Sequence, residues 1–299
     1  MKALLWLIGM LGTLLLPFAC NEAPAGGMSK ATAITLPAQQ PEYKLICQTL
    51  KSIPAPVESA TLLRRNAPKF DEALLNSPAR SSSYATSSIQ ALNLGIYGAD
   101  MAYCNLYQRH YTSLDYLLAI ERLAEKLHVE SAIDLRTIER LVSSAGNLDS
   151  LLSVVNISLN DISFRFQERG QLSLSLMMVT GGWLEGLHLL AAAAKANPNP
   201  ALIEKIGEQR LVLSQLIALL SQMQQNSEQR EVHDALVAIK RAYNGVKISE
   251  TYVGESQIKE VNGIPTFIDN RQTAVEMQPE TLIAIAKATN EARKSITIQ

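Results

Sequence analysis

The chain has 299 residues, 47% of them hydrophobic and 18% charged, with a formal net charge of −1 at pH 7. It is long enough to bury a sizeable core and too apolar for a disordered chain. Near-neutral charge without a basic run gives no electrostatic footprint for nucleic acid or for a membrane-surface helix.

Residues 1–20 carry one lysine (Lys2), an apolar run from Ala3 to Leu16, and then Pro17, Phe18, Ala19 and Cys20. The run is short for a bilayer span and lacks a basic flank after it, which is the pattern of an export signal. Ala19 followed by Cys20 resembles the cleavage and acylation point of a bacterial lipoprotein, although Pro17 stands where such signals usually have Leu. Ordinary cleavage nearby, giving a soluble periplasmic or secreted protein, is the alternative. From residue 21 to 41 the composition turns to Ala, Pro, Gly, Thr and Gln, as expected of a flexible tether ahead of one helical domain over 42–299.

Residues 42–77 read as two or three short helices interrupted by Pro54, Pro56 and Pro68, with a helix start near Pro56. Ser77–Ser88 is a serine-rich loop. A helix is expected over Ile89–Tyr111, with Gly95, Gly98, Ala99 and Ala102 forming a close-packing edge. Tyr97, Asp100, Cys104, Tyr107 and Tyr111 lie along a second stripe. Tyrosines at this spacing suit a core with polar tips; Asp100 among them must find a partner if it is buried. Further helices are expected over 114–128, 132–144 and 148–169, the last closed by Gly170.

Leu172–Ala194 is apolar nearly all round, so it belongs in the middle of a bundle rather than on its surface. Glu185 and His188 interrupt it, three residues apart and pointing to adjoining directions. Gly181, Gly182 and Gly186 weaken this helix but admit the backbone of a neighbour. After a break at 197–200, helices follow over 201–225 and 228–244, with Ser227 as N-cap and Gly245 as stop. From Val246 the period changes to alternation. Asn262-Gly263 predicts a hairpin over about 257–269, with Pro265 confining its strand to an edge, and a last helix runs over about 279–296. The fold class is therefore all-α: a multi-helix antiparallel bundle or array with a small C-terminal β-hairpin.

Three strings, LNLGIYGADMAY (92–103), TGGWLEGLHL (180–189) and KIGEQRLVL (205–213), resemble an uncharacterised family of predicted all-helical lipoproteins from Bacteroidota-type bacteria. The resemblance implies an exported helical protein and brings no activity.

The candidate chemistry centres on Glu185, His188 and Asp100. Glu-x-x-His is the spacing of helical di-metal carboxylate sites, which need two such pairs. The second pair, Glu125 and His128, falls about 150° from the apolar face of its helix, so the two pairs do not share a site and no metal is expected. No nucleophile elbow, phosphate-binding glycine loop or zinc-type cysteine pairing is present, and no catalytic residue or cofactor is assigned. Apart from Cys20, Cys47 and Cys104 form either one disulfide or two buried thiols. Antiparallel packing across the connections near Pro198 and Gly170 places Glu185 level with residues near 211 and with Asn156. Arg210, Gln209 or Asn156 is then the expected partner of a buried, register-setting carboxylate.

Two functional readings follow. One is an envelope-anchored helical binding or scaffold module, membrane-bound through Cys20 and meeting an envelope protein or a small ligand. The other is an envelope enzyme, or a ligand- or metal-binding protein, that uses a buried site at Glu185, His188 and Asp100.

Overall fold

Short polar side chains start three of the long helices of this chain, and left-handed residues stop three. The computed structural model describes residues 41–52, 62–66, 69–134, 136–138, 140, 148–223, 226–252, 257–261, 264–268 and 271–297. The expected signal and tether (1–40), the helix start near Pro56 and the end of the helix expected over 132–144 lie outside them. In chain order the long helices are α1 (Pro41–Ser52), α2 (Ser87–Leu106), α3 (His110–Lys126), α4 (Leu148–Glu168), α5 (Leu172–Ala196), α6 (Pro200–Gln222), α7 (Ser227–Ala242) and α8 (Pro279–Thr297).

The Thr86 hydroxyl accepts from the Ile89 N–H to start α2, and Asn199 accepts from the Leu202 N–H to start α6. The N-cap of α7 is Asn226 rather than Ser227. Its side chain accepts from the Gln229 N–H at 2.8 Å while the Gln229 side chain accepts from the Asn226 N–H, a reciprocal arrangement that Ser227 is one residue too late to make. The serine-rich segment is also not all loop: Pro78–Ser82 is a 3-10 turn and α2 begins at Ser87.

The helix expected over 89–111 ends early. Gln108 has φ 58°, the Arg109 N–H bonds to the Cys104 carbonyl at 2.9 Å, and the Gln108 N–H bonds to the Asn105 carbonyl at 3.0 Å. His128 (φ 58°) closes α3 by the same two bonds, and Gly170 (φ 69°) closes α4 likewise. Tyr111 therefore lies on α3, 88% exposed, and leaves the tyrosine stripe.

α5 is long and apolar enough to cross a membrane, yet 89% of its apolar window is buried inside the protein. It is the core helix. α2, α8, α6 and α4 pack around it, which explains why it is apolar on every side. The most extensive contact is with α2, which is buried along almost its whole length. A Cβ on Gly95 would overlap the Met178 carbonyl, and one on Gly181 would overlap the Leu92 carbonyl, so the two backbones touch. The backbones cross where 92–95 meet 178–182; further along both helices Asp100 lies beside Glu185 and Tyr103 shares a cleft with residues 188–197, so α2 and α5 run in the same direction. Sequence-adjacent helices joined by short turns run antiparallel, but this central pair is parallel. Gly186 has no such neighbour: a Cβ there meets nothing within 4 Å.

The alternating C-terminal segment forms two antiparallel pairs. Strand β2 (Gln257–Val261) pairs with β3 (Ile264–Ile268), with Val261 opposite Ile264, while Asn262 and Gly263 lie outside the described residues. Outside that hairpin, β1 (Lys247–Tyr252) pairs with β4 (Arg271–Glu276), Lys247 opposite Glu276. The outer pair seats on α6, where Val275 packs over Gly207 and the Arg210 guanidinium donates to the Val246 carbonyl at 2.9 Å.

Candidate functional site

Glu185 lies in the middle of α5 with no exposure at all. Two residues away, Trp183 faces α6, where its indole N–H donates to Gln209 Oε1 at 2.9 Å. Two residues are about 200° of helix rotation, so Glu185 points the opposite way. There it meets α8 and α2. Arg293 Nε donates to Glu185 Oε2 at 2.5 Å, and Arg293 is itself only 8% exposed. Arg210, Gln209 and Asn156 are not the partners. Arg210 is spent on the hairpin, Gln209 on Trp183 and the Lys205 carbonyl, and Asn156 is half-buried on α4. Level along an antiparallel pair is thus a poor guide to the partner: the facing direction decides, and it selects a helix that begins 94 residues later.

Asp100 on α2 completes the group, also fully buried. Its Oδ2 accepts the Asn76 N–H at 3.1 Å. Among the described residues, neither Asp100 Oδ1 nor Glu185 Oε1 meets a donor, while the two side chains lie within hydrogen-bonding reach of each other. Two ionised carboxylates with one guanidinium would leave a net charge in a dry interior, which is costly. A proton on Asp100 removes that charge and turns two opposed acceptors into a donor and an acceptor. Burial, then the neighbouring Glu185, hold the Asp100 carboxyl well above the ordinary carboxylate range, against the pull of Arg293.

This arrangement has a sign in pH. A raised folded-state value means that the native protein keeps a proton the unfolded chain has released, so Asp100 lowers stability as pH rises above about 4. Asp100→Asn keeps the acceptor for the Asn76 N–H and offers an amide donor to Glu185. The urea midpoint of Asp100→Asn should gain on the parent steadily from pH 5 to pH 8. A gap that stays constant over that range would show Asp100 to be ionised in the folded protein.

Asn76, buried at 3% exposure, ties the segment before α2 to this centre. Its amide donates at 3.0 Å both to Tyr84 OH and to Asn93 Oδ1, and its carbonyl accepts from Tyr116 OH at 2.9 Å. Tyr97 OH donates to the Ser77 carbonyl at 2.9 Å. Tyr84, Tyr97 and Tyr116 are therefore core rings with satisfied polar tips, and burial raises the phenols of Tyr97 and Tyr116 far above their usual range. The loop held in this way presents the Leu74 carbonyl to His188, whose Nε2–H donates to it at 3.2 Å.

His188 is the one member of the candidate group that reaches solvent-accessible space. It lines an open cleft of about 910 Å³ between the 69–74 segment, the C-terminal half of α5 and the first half of α8. Leu74, Leu189, Ala192 and Ile283 form apolar walls, and Tyr103, anchored by the Asp71 N–H donating to its hydroxyl at 3.2 Å, stands at one side. Burial lowers the His188 pKa, which favours a neutral imidazole. Glu185 and Asp100 do not line the cleft; they lie behind it. The structure thus brings Glu185, Asp100 and His188 into one region but gives only His188 access to a ligand.

Glu125 and His128 are exposed at the end of α3, away from this group. Among the described residues no cluster of three or more His, Cys, Asp or Glu is placed to hold a metal. Cys47 and Cys104 are not joined in a disulfide; Cys104 is buried, and burial raises its thiol. Cys20 lies outside the described residues. Sequence reasoning missed Arg293 and Asn76. Arg293 did leave a signal, since it sits on the stripe of Leu282, Ile285, Thr289, Ala292 and Ile296 that buries α8. Comparison with protein-family models, curated proteins and solved structures finds no match to this chain.

Proposed function

We propose that this protein is a ligand-binding module of a bacterial cell envelope, held at a membrane by lipid on Cys20. It takes a small molecule into the cleft beside His188. The cleft carries the ligand half of this reading. Its volume of about 910 Å³ and its apolar walls with polar groups around them match the usual character of small-molecule sites, which run to roughly 300–1,000 Å³. Acid–base chemistry on a bound molecule is the weaker reading, because Asp100 and Glu185 have no exposure. The anchor half rests on the placement of Cys20 directly after the Ala3–Leu16 run and on the resemblance to helical lipoproteins.

Each half has its own test. Cys20→Ala should move the protein from the membrane fraction to a soluble or unprocessed form, and the effect should be large because firm anchoring needs more than one chain. Unchanged fractionation with no acyl mass on the N-terminal peptide refutes the anchor. Native mass spectrometry of the parent, as purified from its membrane, should show a small copurifying molecule that is lost in Ala192→Trp. A parent that carries only a protein partner points to a scaffold instead.

A further inference from the structure

The walls of the cleft are apolar, but its rim is not electrically neutral. Among the described lining residues three are lysines, Lys69, Lys195 and Lys287, against one acid, Asp71. All four are exposed. Lys287 has Glu291 one helical turn away at 3.9 Å, with both side chains well exposed, a geometry that holds little of its charge. Among the described residues, Lys69 and Lys195 have no carboxylate within salt-bridge distance. The three ammonium groups come from three different elements, the segment before α2, the last turn of α5 and the middle of α8, and all border one cavity. Three lysines around an apolar trough complement a molecule with one greasy body and one anionic end.

We infer that the cleft binds an anionic amphiphile, a single apolar chain ending in a carboxylate or similar anion, with the chain along Leu189, Ala192 and Ile283 and the anion among the rim lysines. The inference rests on the ligand-binding reading above. The apolar body accounts for the alanines, whose small side chains on α5 leave the trough open. Lysine suits the head group because its mobile point charge follows an anion at a wet rim without demanding one geometry. His188 closes the inner end and, with its ring N–H already donated to Leu74, offers the chain an uncharged surface.

The test uses the full chain in nanodiscs of zwitterionic lipid, with protein-free nanodiscs as the blank. Binding of dodecanoate and of the matched neutral 1-dodecanol is measured by equilibrium dialysis. Dodecanoate should bind about tenfold more tightly than the alcohol, the difference expected of a few exposed charge contacts. Replacing Lys69, Lys195 and Lys287 together by Gln should bring dodecanoate down to the alcohol and leave the alcohol unchanged. These are exposed positions, so the variant keeps the fold. Ala192→Trp should remove both ligands, as should Ile283→Asp at a 57% exposed position. Equal affinity for the two probes, with both lost in the blocking variants, overturns the anionic head group and leaves the cleft a binding site. If neither probe binds, or the blocking variants change nothing, the ligand-binding reading falls and this inference with it.

Discussion

Glu185→Ala should lower the folding free energy by about 3–5 kcal/mol, read as a shift in the urea midpoint, because it strands a buried guanidinium. Arg293 is 8% exposed and its Nη2 already lacks a partner among the described residues, so the loss of Glu185 leaves the charge with almost nothing. Asp100 loses the acceptor for its proton in the same step. Glu185→Leu together with Arg293→Met should recover much of the stability, since apolar replacement of a whole buried pair is often neutral. The recovery stays partial because Asp100 remains without its acceptor. Arg210→Met is the control. That side chain is exposed and, among the described residues, holds only the Val246 carbonyl, so its removal should cost no more than about 1 kcal/mol. A Glu185→Ala protein within 1 kcal/mol of the parent, or an Arg210→Met protein as damaged as Glu185→Ala, would contradict this account of the centre.

The second large effect belongs to the contact between α2 and α5. Gly181→Ala should destabilise by about 3 kcal/mol, the upper range for overpacking, because the added methyl runs into the Leu92 carbonyl and backbone cannot rotate away. Gly95→Ala should behave alike against Met178. Five residues further along the same helix, Gly186→Ala should instead stabilise by roughly 0.5–1 kcal/mol, the ordinary helix preference for alanine where space is open. Opposite signs at two glycines of one helix separate close approach from helix propensity. Equal destabilisation at both would mean that the helices do not meet where the structure puts them. Because Asp100 and Glu185 lie further along these same helices, a forced separation at Gly181 should also disturb the carboxyl pair. In that variant the pH-dependent advantage of Asp100→Asn should shrink.

The helical boundaries show how far local signals reach. Gly170 was legible as a stop because only glycine adopts φ 69° without a steric cost, and it closes α4 as expected. Gln108 and His128 close α2 and α3 with the same hydrogen bonds but without a glycine, so the apolar pattern reads straight through them. Gln108 itself is exposed, but Tyr107 and Arg109 on either side of it both meet the Phe70 ring, a contact from a distant segment that no neighbouring residue announces. The strand pairing over 257–268 was legible for the opposite reason. Alternation and a two-residue turn specify register within a dozen residues, whereas the outer pair of β1 and β4 joins segments whose ends lie far apart in the chain.

The sequence by itself determined the all-helical class, the C-terminal hairpin, the central place of Leu172–Ala194, and the presence in it of a carboxylate that needed a partner. Each of these follows from periodicity, capping and burial cost, properties of neighbouring residues. Only the tertiary structure decided who the partner is. Arg293 stands 108 residues from Glu185, on a helix that packs against α5 opposite the Trp183 face. The parallel run of α2 beside α5 brings Asp100 to the same spot. The cleft is likewise a product of elements distant in sequence; three of them each supply a lysine and an apolar or small side chain, and α2 adds Tyr103, to a trough that no one of them encodes. Helix and turn signals act over a few residues; the choice among buried partners is made by the direction each side chain faces once the helices have packed.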